Sequence, residues 1–308
     1  MRRDARTIVV LNPAAAGGRA GRHADAVAVA LRNAGVRFEL VRTERPGHAA
    51  SLVPIALQDG FEQILAVGGD GTLNEVLNGM YAGKQPRNPD AVLATLPFGT
   101  GTDFRRSLEL PRGLHAIERI VHGRPRAIDV GCVTHGLAEG GEAVRYFLNV
   151  ADFGVGGEVV RRVNATTKLF GGFASFFYGV VSTLLTYQNP QMRLDIDGER
   201  FAGRISNVIL ANGQFYGGGM HVAPEARLDS GGFEIYIIGD VGTFEAIVNL
   251  PKLYRGHLLK RADKVQYLFA TRVVARSDET VLLNLDGEQP GRLPATFEIL
   301  PCSLRVIA

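Results

Sequence analysis

A chain of 308 residues, 46% hydrophobic and 21% charged, has the balance of a folded protein of about two domains rather than a disordered or fibrous one. The formal net charge is only +3 and the basic residues are spread along the chain, so nucleic acid is not the expected partner, while an anionic membrane surface stays compatible. Two distant cysteines, Cys132 and Cys302, with no CxxC pair or Cys/His cluster, argue against zinc and for a reducing, cytoplasmic compartment.

Met1–Asp4 leads straight into a strand-like run, with no signal-peptide apolar core. Thr7–Leu11 predicts a strand ending at Asn12-Pro13. Arg22–Asn33 has helical spacing, with Ala26, Val29 and Ala30 on one face and a stop at Gly35. Val36–Val41 reads as a strand and Ala49–Gln58 as a helix in spite of Pro54. Gln63–Val67 is a buried-strand run closed by Gly68-Gly69-Asp70-Gly71, and Thr72–Tyr81 is helical. Val92–Leu96 is the next strand, closed by Pro97-Phe98-Gly99-Thr100-Gly101. This alternation predicts a parallel sheet with helices on both faces over residues 1–126.

From 127 to 308 the texture changes to short β-like runs. They lie at Ala127–Val133, Tyr146–Val150, Met192–Ile196, Ser206–Ala211, Phe233–Ile238, Val265–Ala270, Thr271–Ala275 and Val281–Leu285. The expectation is a second, mostly antiparallel domain with a helical insertion near 156–188 and a further helix at Thr243–Leu253. The last strands, Ala295–Ile307, can close either domain. Leu169–Met192 carries no charge and has the length of a membrane span, but its Gly, Ser and Thr content and its Gln188-Asn189-Pro190 end predict a buried or interfacial helix.

The strongest local feature is Gly68-Gly69-Asp70-Gly71-Thr72-Leu73-Asn74, where a strand runs through glycines into a helix. Glycines let main-chain N–H groups approach a phosphate, and the helix start adds its positive dipole end. Thr72 can cap the helix or donate to a phosphate oxygen; Asp70 can orient Mg²⁺, a ribose hydroxyl or an acceptor. Taken alone, the tetrapeptide reads equally as a tight turn with an Asp cap. A second loop, Pro97–Phe104, follows the adjacent strand, and both fall at the carboxyl rim where parallel sheets bind ligands. Asn12-Pro13 with Gly17-Gly18, and Thr43 with Gly47-His48, end the first two strands at the same rim. Neither a Walker loop nor a GxGxxG fingerprint after the first strand is present.

The ordered blocks GGDGTLNEVLNG at Gly68–Gly79, PFGTGTDF at Pro97–Phe104, Asn212-Gly213 with Tyr216-Gly217-Gly218-Gly219, and Asp286-Gly287-Glu288 resemble the diacylglycerol kinase catalytic family, which includes bacterial lipid kinases and the sphingosine and ceramide kinases. GGDGT by itself is shared with NAD kinases and phosphofructokinase-like folds. The resemblance implies a Rossmann-like, NAD kinase/phosphofructokinase-like amino-terminal domain and a carboxy-terminal β-sandwich. It implies ATP contacts at Asn12, Thr43, Gly68, Gly69, Asp70, Gly71, Thr72, Leu73, Asn74 and Thr100, with Mg²⁺ as the accompanying ion. It also implies that Glu288 accepts the proton of a lipid hydroxyl, with Asp286 beside it. Without the family, Asp286-Gly287 reads as a hairpin turn.

Two positions depart from the family pattern. Thr102 stands where the loop usually has Asn, and Ser230 replaces the second Asp of a magnesium motif, leaving Asp229 to bind alone or the site weak. His221, behind the glycine run, either meets substrate or simply packs. Arg105-Arg106 and Arg161-Arg162 read as solvated surface, with phosphate or headgroup contact as the alternative. The phenylalanines at 170, 173, 176 and 177, with Tyr178 and Lys168, suit a helix at the headgroup level or an acyl pocket as well as a core helix.

The expected function is therefore a lipid kinase, acting on diacylglycerol or a lipid such as ceramide at the inner membrane face as a peripheral protein. An NAD or other small-molecule kinase is the alternative, and a non-catalytic nucleotide or lipid sensor is a third reading. A homodimer is compatible with the sequence.

Overall fold

Ile8–Leu11, Ile64–Val67 and Val92–Leu96 are buried at every position, as strands covered on both faces must be. In the computed structural model they form the centre of one of two units, Met1–Val130 with Pro301–Ala308; the other is Gly131–Leu300. The structure describes all residues except 3, 100, 138–139, 171–172 and 255–262, and side chains are described outside 166–178 as well.

The first unit runs β1 (Thr7–Leu11), α1 (Ala15–Arg22), α2 (Ala24–Asn33), β2 (Phe38–Arg42), α3 (His48–Gln58), β3 (Gln63–Gly68) and α4 (Asp70–Met80). A small hairpin of β4 (Tyr81–Ala82) and β5 (Gln85–Pro86) precedes β6 (Val92–Pro97), α5 (Phe104–Ser107), a 3₁₀ turn (Gly113–His115), α6 (Ala116–His122) and the start of β7 (Pro125–Gly136). The sheet order is β2-β1-β3-β6, all parallel, with Val9 opposite both Leu40 and Leu65, and Ala66 opposite Thr95. Beyond β6, Arg305 and Val306 pair in parallel with Val92 and Leu93, so the chain's last residues complete this sheet. Val9, Leu11, Leu65, Val67, Ala94 and Leu96 pack against α2 and α6. The other face is covered by α3 and α4, which cross closely because residue 79 is glycine: a Cβ there would stand 2.7 Å from Val53.

The apolar face of α2 is Ala24, Val27 and Leu31, whereas the predicted Val29 is 50% exposed. In an alanine-rich helix the small residues fit either face, and the single Leu31 decides the rotation. α1 is irregular: Ala16, Gly17 and Gly18 all have left-handed φ and ψ. α4 begins at Asp70, two residues before its expected start, so Asp70 and Gly71 belong to its first turn.

The second unit continues with β8 (Glu142–Phe147), β9 (Val150–Gly154), α7 (Val155–Phe170), α8 (Phe173–Thr186), β10 (Gln191–Ile196), β11 (Glu199–Arg204) and β12 (Asn207–Ala211). After these come β13 (Phe215–Tyr216), β14 (Met220–His221), β15 (Phe233–Ile238), α9 (Thr243–Tyr254), β16 (Val265–Ala270), β17 (Arg272–Arg276), β18 (Leu283–Leu285) and β19 (Arg292–Ile307). One antiparallel sheet is ordered β16-β15-β12-β9-β18. It faces β11, β10, β17 and the first half of β19 across a core in which Phe153 stacks on Phe297, 5.4 Å between centroids, and Phe147 on Phe233, 5.6 Å. That is a β-sandwich. The predicted strand Tyr146–Val150 is two strands, β8 and β9, broken at Leu148-Asn149.

Among the described residues no helix is long and apolar enough to cross a membrane. Lys168, Phe170, Phe173, Phe176, Phe177 and Tyr178 lie outside the described side chains.

Candidate functional site

In the first unit the two glycine loops interlock. Phe98 N and Gly99 N both donate to Gly68 O, at 2.8 and 3.0 Å, and Asp70 N donates to Gly101 O at 3.0 Å. A Cβ on Gly99 would overlap the Gly69 Cα, and one on Gly69 would stand 2.8 Å from Gly101 O, so only glycine permits this approach. The Asp70 carboxylate fastens the pair: Oδ2 accepts Asp103 N at 2.6 Å and Oδ1 faces Phe104 N at 3.4 Å. Asn12 joins them from the end of β1, donating Nδ2 to Thr72 Oγ1 at 3.0 Å while its Oδ1 takes Ala14 N. Thr72 thus accepts with its oxygen and keeps a hydroxyl proton to give. Leu73 is 3% exposed, so its side chain is core, and its N–H donates to Gly69 O at 3.1 Å. Asn74 accepts from Asn78 Nδ2 one turn on. Thr43 is buried and donates N–H to Leu11 O at 2.9 Å. Thr100 lies outside the described residues.

Glu75 was not singled out by its sequence, yet its carboxylate takes Gly47 N at 2.8 Å and Ala49 N at 3.2 Å, tying the start of α3 to α4. Buried Thr102 accepts Arg105 Nε at 3.3 Å, and Arg106 pairs with Asp103 at 3.4 Å, so the Arg105-Arg106 pair is anchored to the loop rather than solvated. Burial, then Arg112 and Arg106, hold the Arg105 guanidinium below its ordinary pKa. Arg162 donates to Ser182 O and Thr186 Oγ1, joining α7 to α8, and Arg161 pairs with Glu158.

In the second unit Asp286 and Gly287 make a two-residue hairpin turn with φ of 51° and 92°, closed by mutual bonds of Leu285 and Glu288 at 2.8 and 2.9 Å. The Asp286 carboxylate accepts three amides: Leu148 at 2.8 Å, Asn149 at 3.0 Å and Val150 at 3.1 Å. Its oxygens therefore hold the backbone at the start of β9, while Glu288 is exposed on the same turn. Asn212 and Gly213 converge on the same segment, both donating N–H to Asn149 O, and Asn212 Nδ2 reaches Leu148 O at 2.7 Å. His221 stacks on Phe215, centroids 4.3 Å apart, and burial lowers its pKa. Asp229 accepts Arg227 Nε at 3.2 Å and Ser230 Oγ donates to Gly232 O at 3.0 Å. Among the described residues neither belongs to a cluster of three His, Cys, Asp or Glu side chains.

Two family models divide the chain between them: the diacylglycerol kinase catalytic domain matches residues 6–133, and the YegS C-terminal NAD kinase beta sandwich-like domain matches 149–308. A diacylglycerol kinase of Staphylococcus carnosus is 32% identical over 96% of this chain and 92% of its own. The chain belongs to the diacylglycerol kinase family. A diacylglycerol kinase of Bacillus subtilis is 29% identical over 98% of this chain and 96% of its own.

Solved structures agree on the fold: a family member from Bacillus anthracis superposes with a TM-score of 0.73 at 20% identity, covering 99% of this chain and 96% of that one. Yeast NADH kinase complexed with NADH superposes at 0.53 with 11% identity, covering 99% and 83%. Set on this family's pattern, the retained Asp103 is the residue whose amide meets Asp70, whereas Thr102 and Ser230, the two departures, turn their hydroxyls to protein partners.

Proposed function

We propose that this kinase-family chain transfers the terminal phosphoryl group of ATP to the hydroxyl of diacylglycerol or a related lipid such as ceramide. The observation that carries the reading is the interlock of Gly68–Gly71 with Gly99–Gly101 at the carboxyl ends of β3 and β6, pinned by Asp70. Phosphoryl transfer asks a protein mainly for positioning and charge stabilisation. Main-chain amides fixed by two mutually buttressed loops, the start of α4 and the Thr72 hydroxyl supply donors of that kind. Magnesium carried by the nucleotide would neutralise charge on the phosphates. Glu288 is assigned the acceptor's proton, being the carboxylate of the turn that points to solvent, and Asp286 holds that turn.

A lipid acceptor places the protein at the inner membrane face, as a peripheral protein. Helix α9 supports this: Phe244, 82% exposed, Val248, 52% exposed, and exposed Lys252 follow at four-residue spacing on one face.

The test is incubation with radiolabelled ATP, magnesium and extracted total lipids, followed by separation of the products. Label in phosphatidic acid or ceramide phosphate is expected. Label confined to aqueous products overturns the lipid acceptor in favour of a small-molecule kinase. No label, together with no heat of ATP binding, overturns the kinase reading itself.

A further inference from the structure

Asp152 is a fully buried carboxyl that the proposed chemistry does not use. It sits in the middle of β9, directly opposite Asn284 of β18. Alternation along β9 turns both away from the Phe153 core and toward the other face of the sheet. From β12, Asn207 donates Nδ2 to Asp152 Oδ2 at 3.3 Å, the polar side chains of Asn284 and Tyr216 lie near enough to favour its charged form, and Oδ1 is buried with no hydrogen-bond partner among the described residues. A Cβ on Gly156 would overlap the carboxyl group, so the first turn of α7 is glycine where it passes over Asp152.

Each neighbour leads to a different element. Asn284 Oδ1 accepts the amide of Gly287 at 2.9 Å, the centre of the turn that carries Glu288. Tyr216 opens the Gly217–Gly219 loop. Asn207 Oδ1 takes the Gly156 amide at 3.1 Å and so holds the start of α7.

We propose that Asp152 is a positioning residue for Glu288: through Asn284 it fixes the Gly287 turn, and through Tyr216 it holds the glycine loop, both from behind the sheet. The inference rests on the kinase reading for its catalytic consequence but not for its linkage. Nothing about packing calls for a carboxylate in a buried strand; an apolar or small residue would avoid the cost of burial. Burial pushes this carboxyl up to a pKa of about 7, against the opposing pull of the polar side chains of Asn207, Asn284 and Tyr216. The ionisable groups around it do not titrate there: Tyr216 and Tyr187 are raised, chiefly by burial, and Glu158 of α7 is lowered, chiefly by Arg161.

The experiment follows kcat and KM against pH in the wild type, Asp152→Asn and Asn284→Ala, with the Gly287 amide shift followed by NMR over the same range. In the wild type the Gly287 shift and kcat should share a midpoint near pH 7. Asp152→Asn should lose that inflexion. Asn284→Ala should lower kcat on the order of tenfold, the cost of a small misplacement, with KM for ATP unchanged. Activity within twofold of wild type in both variants, with the inflexion intact, overturns the proposal. Should Asp152→Asn fail to fold, the wild-type Gly287 shift decides: a flat response across neutral pH refutes the linkage. Absence of any phosphorylated product from the wild type would instead count against the kinase reading, and the Gly287 titration would still stand as a test of Asp152.

Discussion

Replacing Asp286 with asparagine and Glu288 with glutamine should separate the turn's support from its chemistry. The Asp286 carboxylate receives Leu148, Asn149 and Val150 amides at 2.8, 3.0 and 3.1 Å, with Leu148 and Val150 themselves buried. Asparagine keeps the shape and tolerates the left-handed backbone at this position, φ 51°, so no new strain confuses the result. It has one oxygen instead of two, so at least one amide is left facing an NH₂, and the remaining bonds lose their charge. A hydrogen bond to a charged group is worth about 1.5–3 kcal/mol, and a stranded buried donor costs about 1–3 kcal/mol, so a loss of roughly 3 kcal/mol is expected. Urea denaturation of the two variants beside the wild type measures it. Glu288→Gln, on an exposed side chain, should move stability by no more than about 0.5 kcal/mol yet abolish turnover, with ATP binding kept. The reasoning is refuted if Asp286→Asn is as stable as wild type and as inactive as Glu288→Gln, because Asp286 would then belong with the reacting groups.

Gly99→Ala should weaken ATP binding at least tenfold by calorimetry, since the added methyl meets main chain of the partner loop that cannot swing aside; an unchanged Kd would mean the interlock is not the nucleotide site. Asp152→Asn should change how stability depends on pH. In the fold this carboxyl keeps its proton up to a pKa of about 7 while the unfolded chain loses it near 3.8, so wild-type stability falls as pH rises between those values and is level above them. The variant lacks that slope, and its stability relative to wild type should be greater at mildly alkaline than at acid pH by up to about 4 kcal/mol in urea titrations; parallel curves would refute the buried-carboxyl assignment. Phe244→Asp should reduce binding to anionic phospholipid vesicles about tenfold or more in flotation, with phosphorylation of a water-soluble short-chain acceptor unchanged; full vesicle binding would remove α9 from the membrane contact.

The parallel strands were readable because a strand covered on both faces must be apolar throughout, and Phe233–Ile238 and Val265–Ala270 emerge with the bounds their sequence suggests. β11 was not, because Glu199–Arg204 is an edge strand whose residues mostly face water, and an edge needs no hydrophobic period. The glycine loops were legible as strand-turn-helix units, each local in sequence. That Asp70 would bind the amide of Asp103 was not, since the pair is set by the spacing of β3 and β6 rather than by any local pattern. Asp286-Gly287 carried two sequence readings, a hairpin turn and a carboxylate beside the reacting groups. Its φ angles make the turn, and its three amide partners give the carboxylate a supporting task there. Asn149 and Asp152 did leave a trace: a polar residue inside the buried run Phe147–Phe153 must find a partner, and that demand alone could have marked both.

On the proposed kinase reading the two units meet opposite chemical demands, and the difference determines what mutation should reveal in each. A phosphate chain needs several donors held at fixed points, which main chain supplies best. The loops of the first unit therefore carry little side chain and depend on glycine, and damage there should appear as lost affinity. Accepting one proton needs a single accessible carboxylate, and Glu288 is the exposed carboxylate of its turn. The turn that carries it is held from behind, by Asp286 on three amides and by Asn284 on Gly287. Substitutions in that support should lower kcat and stability together while leaving nucleotide affinity alone, a combination that neither a purely catalytic nor a purely structural residue produces.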